Sequence, residues 1–173
     1  MTSSFMTHSL NILVKPLLGK YPLHWHNCFN IGPDVYEDPS AFEYNSIHHA
    51  FSRFITVHGT DHAQVIGNAG YLTRGHGYFL EDGIETFTNF TGNLGMVTHQ
   101  GIILPTDKGT ALCNDAREGG IGGGEAQGEC NGLSMFWISN INTYLNDNFA
   151  LGGKVCYWIS PHNNAPGQEM DLV

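Results

Sequence analysis

The chain has 173 residues with 16 acidic against 7 basic side chains, a net charge of −9, and 22 glycines; only 13% of its residues are charged. The acidic balance excludes a nucleic-acid binder, which needs a basic footprint over phosphates, and it disfavours an anionic membrane surface. Sparse charge and abundant glycine exclude long amphipathic helices, whereas the aromatic, Thr, Asn and Gly content favours strands and tight turns, so an all-β domain is expected. Ten histidines can change the net charge substantially between pH 7 and pH 5.

Residues 1–19 read as an N-terminal tail. Its "LNILVKPLLG" is short, carries a lysine and lacks both a basic leader and a small-residue cleavage site, which makes it a poor signal peptide. No stretch approaches eighteen apolar residues, so no membrane span is predicted. In "YPLHWHN", His24 and His26 alternate along an apparent strand and point to one face.

From here a repeat emerges. "SIHHAFSRFITVHG", "VIGNAGYLTRGHGYFLEDG", "TFTNFTGNLGMVTHQG" and "LNDNFALGGKVCYWIS" each place His or Asn ahead of polar or glycine positions and then a run of large apolar residues. The anchors are His49, Asn68, Asn89 and Asn148, at spacings of 19, 21 and 59 residues, the last leaving room for a long insertion at about 101–133. A period near twenty with short strands points to a parallel β-helix over residues 20–160, with a tail at 161–173. An Asn at the same corner of each coil can stack inward, its amide bonding the next coil's turn; Asn is also simply a common turn residue. If Asn89, in the sequon "NFT", stacks in this way, it carries no glycan on the folded protein.

Aligning the coils on their apolar runs sets "ITVHG" beside "FLEDG", so His58 falls beside Asp82 and Gly59 beside Gly83. "VTHQG" then adds His99 and Gln100, and His26 joins from the preceding strand. The column His26, His58, His76, Glu81, Asp82 and Glu85 reads as a polar groove, or as solvated strand ends with Asp82-Gly83 a plain turn. His26, His58 and Asp82 form a two-His, one-carboxylate set suited to a divalent metal, and calcium bridging through the acids is another route. Sugar hydrolysis usually needs two spaced carboxyls, for which Glu81 with Glu85 or Asp82 with Asp61 are the plausible pairs. A histidine beside a carboxylate also serves as acid or base. Cys113 and Cys130 bracket the glycine-rich "NDAREGGIGGGEAQGE"; a disulfide closing it and two free thiols both fit. No cysteine pair makes a CxxC, which excludes a zinc ribbon.

The segments "GKYPLHWH", "SIHHAFSRFITVHGT", "GYLTRGHGYFLEDGIET", "NLG", "ILPTD", "CNGLSMFWISN" and "ALGG" follow one another in this order. In this they resemble the family of the cell-migration-inducing hyaluronan-binding protein and the transmembrane cell-surface hyaluronidase; fibrocystin-like proteins carry similar coils. The resemblance implies a right-handed parallel β-helix in an extracellular or cell-surface protein that binds or depolymerises hyaluronan. It also implies that Cys113 and Cys130 pair, while Cys28 and Cys156 do not obviously match the family. The family's glycine-rich N-terminal domain is missing, so the chain reads as a piece of a larger protein. The stacking of the coils, rather than the resemblance, makes His58, Glu81 and Asp82 the candidate catalytic residues, and His26, Arg53, Arg74 and His76 the candidate substrate-binding ones. A polyanion needs a basic strip, for which Lys20, Arg53, Arg74 and Lys108 are available. Two other readings compete: a binding module using Trp25, Tyr71, Tyr78 or Trp158 as sugar platforms, and a structural spacer.

Overall fold

In the computed structural model the described residues are 4–6 (main chain only), 21–35, 37–81, 83–99, 133–159 and 161. Asp82, Cys113 and Cys130 lie outside them, as do Lys20, Gln100 and Lys108. Among the described residues there are strands and turns but no helix.

The chain winds in coils of three strands. β3 (Ala41–Glu43), β4 (Ser46–Ala50) and β5 (Ile55–Asp61) make one coil, and β6 (Gln64–Ile66), β7 (Ala69–Arg74) and β8 (Tyr78–Leu80) the next. β9 (Thr88–Thr91), β10 (Leu94–His99) and β11 (Ser134–Ile138) follow, then β12 (Thr143–Asn146), β13 (Phe149–Leu151) and β14 (Val155–Ile159). β1 (Ser4–Met6) and β2 (Leu23–Asn30) come first. Each strand pairs in parallel with its equivalents, giving three sheets: β3-β6-β9-β12, β1-β4-β7-β10-β13 and β2-β5-β8-β11-β14. This is a parallel β-helix. Residues 51–54, 75–77 and 152–154 carry the chain from the second sheet to the third, whereas the third coil takes residues 100–133 for the same step.

The interior follows from strand alternation, because every second side chain points inward and stacks on its equivalent one coil away. Tyr78, Phe136 and Tyr157 stack in this way, with ring centroids 4.8 and 4.9 Å apart. Val57, Leu80 and Ile138 fill the core beside them. Gly70 and Gly95 are paired on β7 and β10, and a Cβ on either would collide with the side chain of Phe54 or Met135. Two large buried residues thus occupy space that the glycines leave open.

One corner is held by an asparagine ladder. The main-chain N–H and side-chain amide of Asn45 both donate to Asn68 Oδ1 at 3.0 Å, and Asn68 donates in the same way to Asn93. Asn93 repeats the pattern onto Asn148, at 2.9 and 3.0 Å. The ladder expected from the sequence therefore exists, but Asn45 and Asn93 occupy the rungs assigned to His49 and Asn89. The residue before each rung, namely Tyr44, Gly67, Gly92 and Asp147, has φ between 51 and 68°, the left-handed turn that leaves corner backbone groups needing side-chain partners. Asn89 lies instead on β9, opposite Gln64 and Tyr144, half-buried on another sheet. The reason for expecting its sequon to be inaccessible falls with that correction.

Candidate functional site

The third sheet carries a polar cluster on the face opposite the core. His26 pairs in register with His58 across β2 and β5, as the sequence suggested. The next rung differs. Ile55 pairs with Tyr78 and Val57 with Leu80, and the Glu81 N–H donates to the Val57 carbonyl at 3.0 Å. Continuing that register places Glu81 beside His58, in the place expected for Asp82. His99 does not join this row: β10 belongs to the second sheet, where His99 pairs with Arg74. The coil above Glu81 is entered by β11, beyond residues 100–133.

Three ionisable groups converge at Glu81. Its Oε2 lies 3.5 Å from His58 Nδ1 and 3.6 Å from Arg53 Nη1. All three residues are buried: His58 is 2% exposed, Arg53 1% and Glu81 7%. Arg53 also donates to the Tyr21 hydroxyl at 3.0 Å, and its guanidinium sits 3.5 Å above the Phe79 ring. This is a charge taken from water and compensated by a carboxylate, a hydroxyl and an aromatic face. Arg53 is thus no part of an exposed basic strip. Arg74 is exposed at the end of β7, while the pairing of Ile55 with Tyr78 brings Arg53 level with His76.

His24, His26 and His58 form a second group around the same point. Their rings approach to 4.5–6.3 Å between centroids. One ring nitrogen from each lies within 4.8 Å of those of the other two. His24 is half-buried, His26 exposed and His58 buried, so the cluster opens outward at His26. Burial, then the neighbouring His26, His58 and Arg53, push the His24 pKa down to about 4, which leaves a neutral ring near pH 7. Sequence reading placed His24 on the right face but assigned the metal-ligand role to His26, His58 and Asp82. The i, i+2 spacing of "HWH" is the signal for the third imidazole.

The other expected site residues divide clearly. His76 is 9% exposed and packs on Phe79 and Trp137. Its Nδ1 accepts from the Ser134 N–H at 3.1 Å, and burial followed by the Arg53 charge depresses its pKa to about 3. It is enclosed, and does not line an open groove. Glu85 is wholly buried; its two oxygens accept from the N–H groups of Gly59 at 3.0 Å and Gly83 at 2.8 Å. Asp61 Oδ1 accepts from the Thr86 N–H and hydroxyl at 2.6 and 2.8 Å. Glu85 and Asp61 are thereby engaged in holding corners. Two acids of "YFLEDGIET" are therefore engaged within the fold: Glu85 satisfies the backbone of Gly59 and Gly83, and Glu81 faces the buried Arg53. Trp25 and Tyr78, two of the expected sugar platforms, belong to the core, whereas Tyr71 is 46% exposed.

A second surface lies on the first sheet. Phe87 and Tyr144, 40 and 54% exposed, line an open groove with His62, Gln64, Asn89 and Asn146. The His62 and Phe87 rings stack at 4.8 Å, and the Asn89 amide donates to Gln64 Oε1 at 3.0 Å. Sequence reading did not single out this groove.

Comparison with known proteins places this architecture. The CEMIP beta-helix family description matches residues 10–173. The chain is 37% identical over 159 residues to "Cell surface hyaluronidase" of Danio rerio, covering 90% of the chain and 12% of that protein. It is 32% identical over 160 residues to human "Cell migration-inducing and hyaluronan-binding protein", covering 90% of the chain and 12% of the relative. Human "Fibrocystin-L" is 28% identical over 155 residues, covering 89% of the chain and 3% of the relative. The chain thus spans about an eighth or less of the length of these relatives. With the coils, the corner ladder and a family match across almost all of its residues, the chain belongs to the CEMIP beta-helix family.

Proposed function

We propose that this β-helix is the polysaccharide-handling segment of a larger extracellular or cell-surface protein, with hyaluronan or a similar acidic glycan as its ligand. The names of its relatives support the ligand class and the location. The observation that carries a chemical role is the convergence of His58 and Arg53 on one oxygen of Glu81, behind the exposed His26. The Glu81 carboxylate lies between the His58 imidazole and the Arg53 guanidinium, 3.5 and 3.6 Å from them. His26 meets the solvent 4.5 Å from His58, ring to ring. Acid–base chemistry on a glycosidic bond would enter at His26 and draw on the His58–Glu81 pair. A pair of free carboxyls is not what supports this reading, since Glu85 is bound to backbone N–H groups.

A second reading, binding without cleavage, is favoured by the 2% exposure of His58 and by the first-sheet groove. Exposed aromatic rings beside amides suit a sugar's apolar faces and hydroxyls. Incubation with purified high-molecular-weight hyaluronan separates the two. Chain shortening that is lost in His26→Ala and Glu81→Gln supports depolymerisation. Saturable binding with no shortening supports the second reading. Neither binding nor shortening by folded protein defeats both.

A further inference from the structure

We propose that His24, His26 and His58 form a three-imidazole site for a divalent transition ion of the zinc class. This deepens the reading above by naming what the cluster holds, and its test reads metal rather than sugar.

The three donors come from two adjacent strands, with His24 and His26 on one face of β2 and His58 opposite His26 on β5. One nitrogen from each already lies within 4.8 Å of the others. Zinc–imidazole bonds of about 2.0–2.1 Å in a tetrahedral site bring ligand nitrogens to roughly 3.4 Å from one another. The remaining closure, about 1.4 Å at most for any pair, is within the reach of ring rotation without moving the strands. A second observation points the same way. His24 Nε2 is buried with no hydrogen-bond partner among the described residues, and a buried polar atom in that state calls for a ligand.

The surroundings suit a cation. Glu81 Oε2 stands 3.5 Å from His58 Nδ1, close enough for its charge to favour a cation held by the imidazoles. Glu81 also offsets the nearby Arg53 charge, at 3.6 Å. Donor chemistry selects the ion. Three imidazoles match zinc, copper or nickel, whereas calcium takes six to eight oxygens. Three protein ligands leave a fourth position open, and exposure of His26 puts that position on the solvent side.

The test uses the full chain after chelator treatment, titrated with Zn²⁺ by calorimetry and with Co²⁺ by visible absorption, followed by thermal unfolding. One equivalent of Zn²⁺ is expected, with a tetrahedral Co²⁺ spectrum and a raised Tm, because an ion bound only to the folded state stabilises it. His26→Asn, at an exposed position, should fold normally and weaken Zn²⁺ binding at least tenfold; His24→Asn combined with it should abolish saturable uptake. His48→Ala with His49→Ala, a histidine pair on the second sheet, should change nothing. The inference is overturned if the parent chain takes up no Zn²⁺ saturably, or if uptake survives in the His24/His26 double variant. A chain that binds Zn²⁺ through His26 yet leaves hyaluronan intact supports the metal site and defeats depolymerisation. Shortening of hyaluronan by metal-free protein supports depolymerisation and removes the metal from it.

Discussion

Arg53 and Glu81 face each other at 3.6 Å across adjacent coils, with 1 and 7% of their surfaces exposed. Such a pair gains little over a well-packed apolar substitute, but loss of one member strands the other charge, typically at 3–5 kcal/mol. Arg53→Met is therefore expected to lower unfolding stability by about 3 kcal/mol or more. Arg53→Met combined with Glu81→Leu should recover much of that loss. Urea unfolding of the two single variants and the double variant gives the coupling; fully additive losses would show that the two side chains do not act as a pair.

The corner ladder sets a second expectation. Asn68 accepts from the N–H and the side-chain amide of Asn45, and donates to the Phe42 carbonyl at 2.8 Å and to Asn93. Asn68→Ala leaves several buried groups without partners, each costing about 1–3 kcal/mol, so a loss of at least 2 kcal/mol is expected, within that range. Asn89 is half-buried, donates to Gln64 and accepts from the Thr91 hydroxyl, both partners part-exposed, so the same change should cost about 1 kcal/mol and less than at Asn68. Equal losses at the two positions would contradict the ladder as drawn.

These two relationships show what the sequence made legible and what it did not. The coil repeat, the parallel stacking, an asparagine ladder and the His26–His58 rung could all be read from apolar runs and their spacing. The register beyond His58 slipped by one because Gly59 was matched to Gly83. β8 ends at Leu80 while β5 continues to Asp61, so Gly59 lies within a strand and Gly83 beyond the end of one. The ladder slipped from Asn93 to Asn89 because both precede apolar residues. The discriminating signal is the repeated Gly-Asn-x-Gly, present at residues 67–70 and 92–95, where the first glycine makes the left-handed turn and the last admits a core side chain. Burial of Arg53, Glu81 and Glu85 was not legible, since a charged side chain's surroundings depend on three coils at once.

His76 gives the pH dependence a sign. Its pKa in the folded chain, about 3, lies below the ordinary 6.5 because burial, and then the Arg53 charge, oppose protonation. The unfolded chain thus binds a proton at this residue that the folded chain does not. The stabilising difference is fully present above pH 6.5 and is lost as pH falls from 6.5 towards 3. This one residue should contribute a slope of up to roughly 1.4 kcal/mol per pH unit in that window. His76→Gln is expected to flatten the stability–pH curve by about one proton between pH 6 and 4, even where its absolute stability is lower. An unchanged slope would mean that His76 is protonated in the folded chain.

The first-sheet groove provides the last test, which bears on binding apart from chemistry. Phe87 and Tyr144 expose 40 and 54% of their surfaces there, and His62 stacks on Phe87 at 4.8 Å. Gln64, Asn89 and Tyr144 occupy consecutive rungs of one column, so two amides and then a ring follow one another along the helix axis at the strand spacing, about 4.8 Å. A sugar chain laid along that axis meets hydrogen-bonding amides beside exposed aromatic faces. Tyr144→Ala removes an exposed ring and should leave stability within about 0.5 kcal/mol. An aromatic contact contributes about 0.5–1.5 kcal/mol, so the same change should weaken hyaluronan oligosaccharide binding roughly two- to tenfold. Phe87→Ala should act similarly, whereas His48→Ala on the second sheet should leave this affinity unchanged. If calorimetry finds Tyr144→Ala and Phe87→Ala binding as the parent does, while His26→Ala binds poorly, the glycan lies across the imidazole cluster and the groove takes no part in holding it.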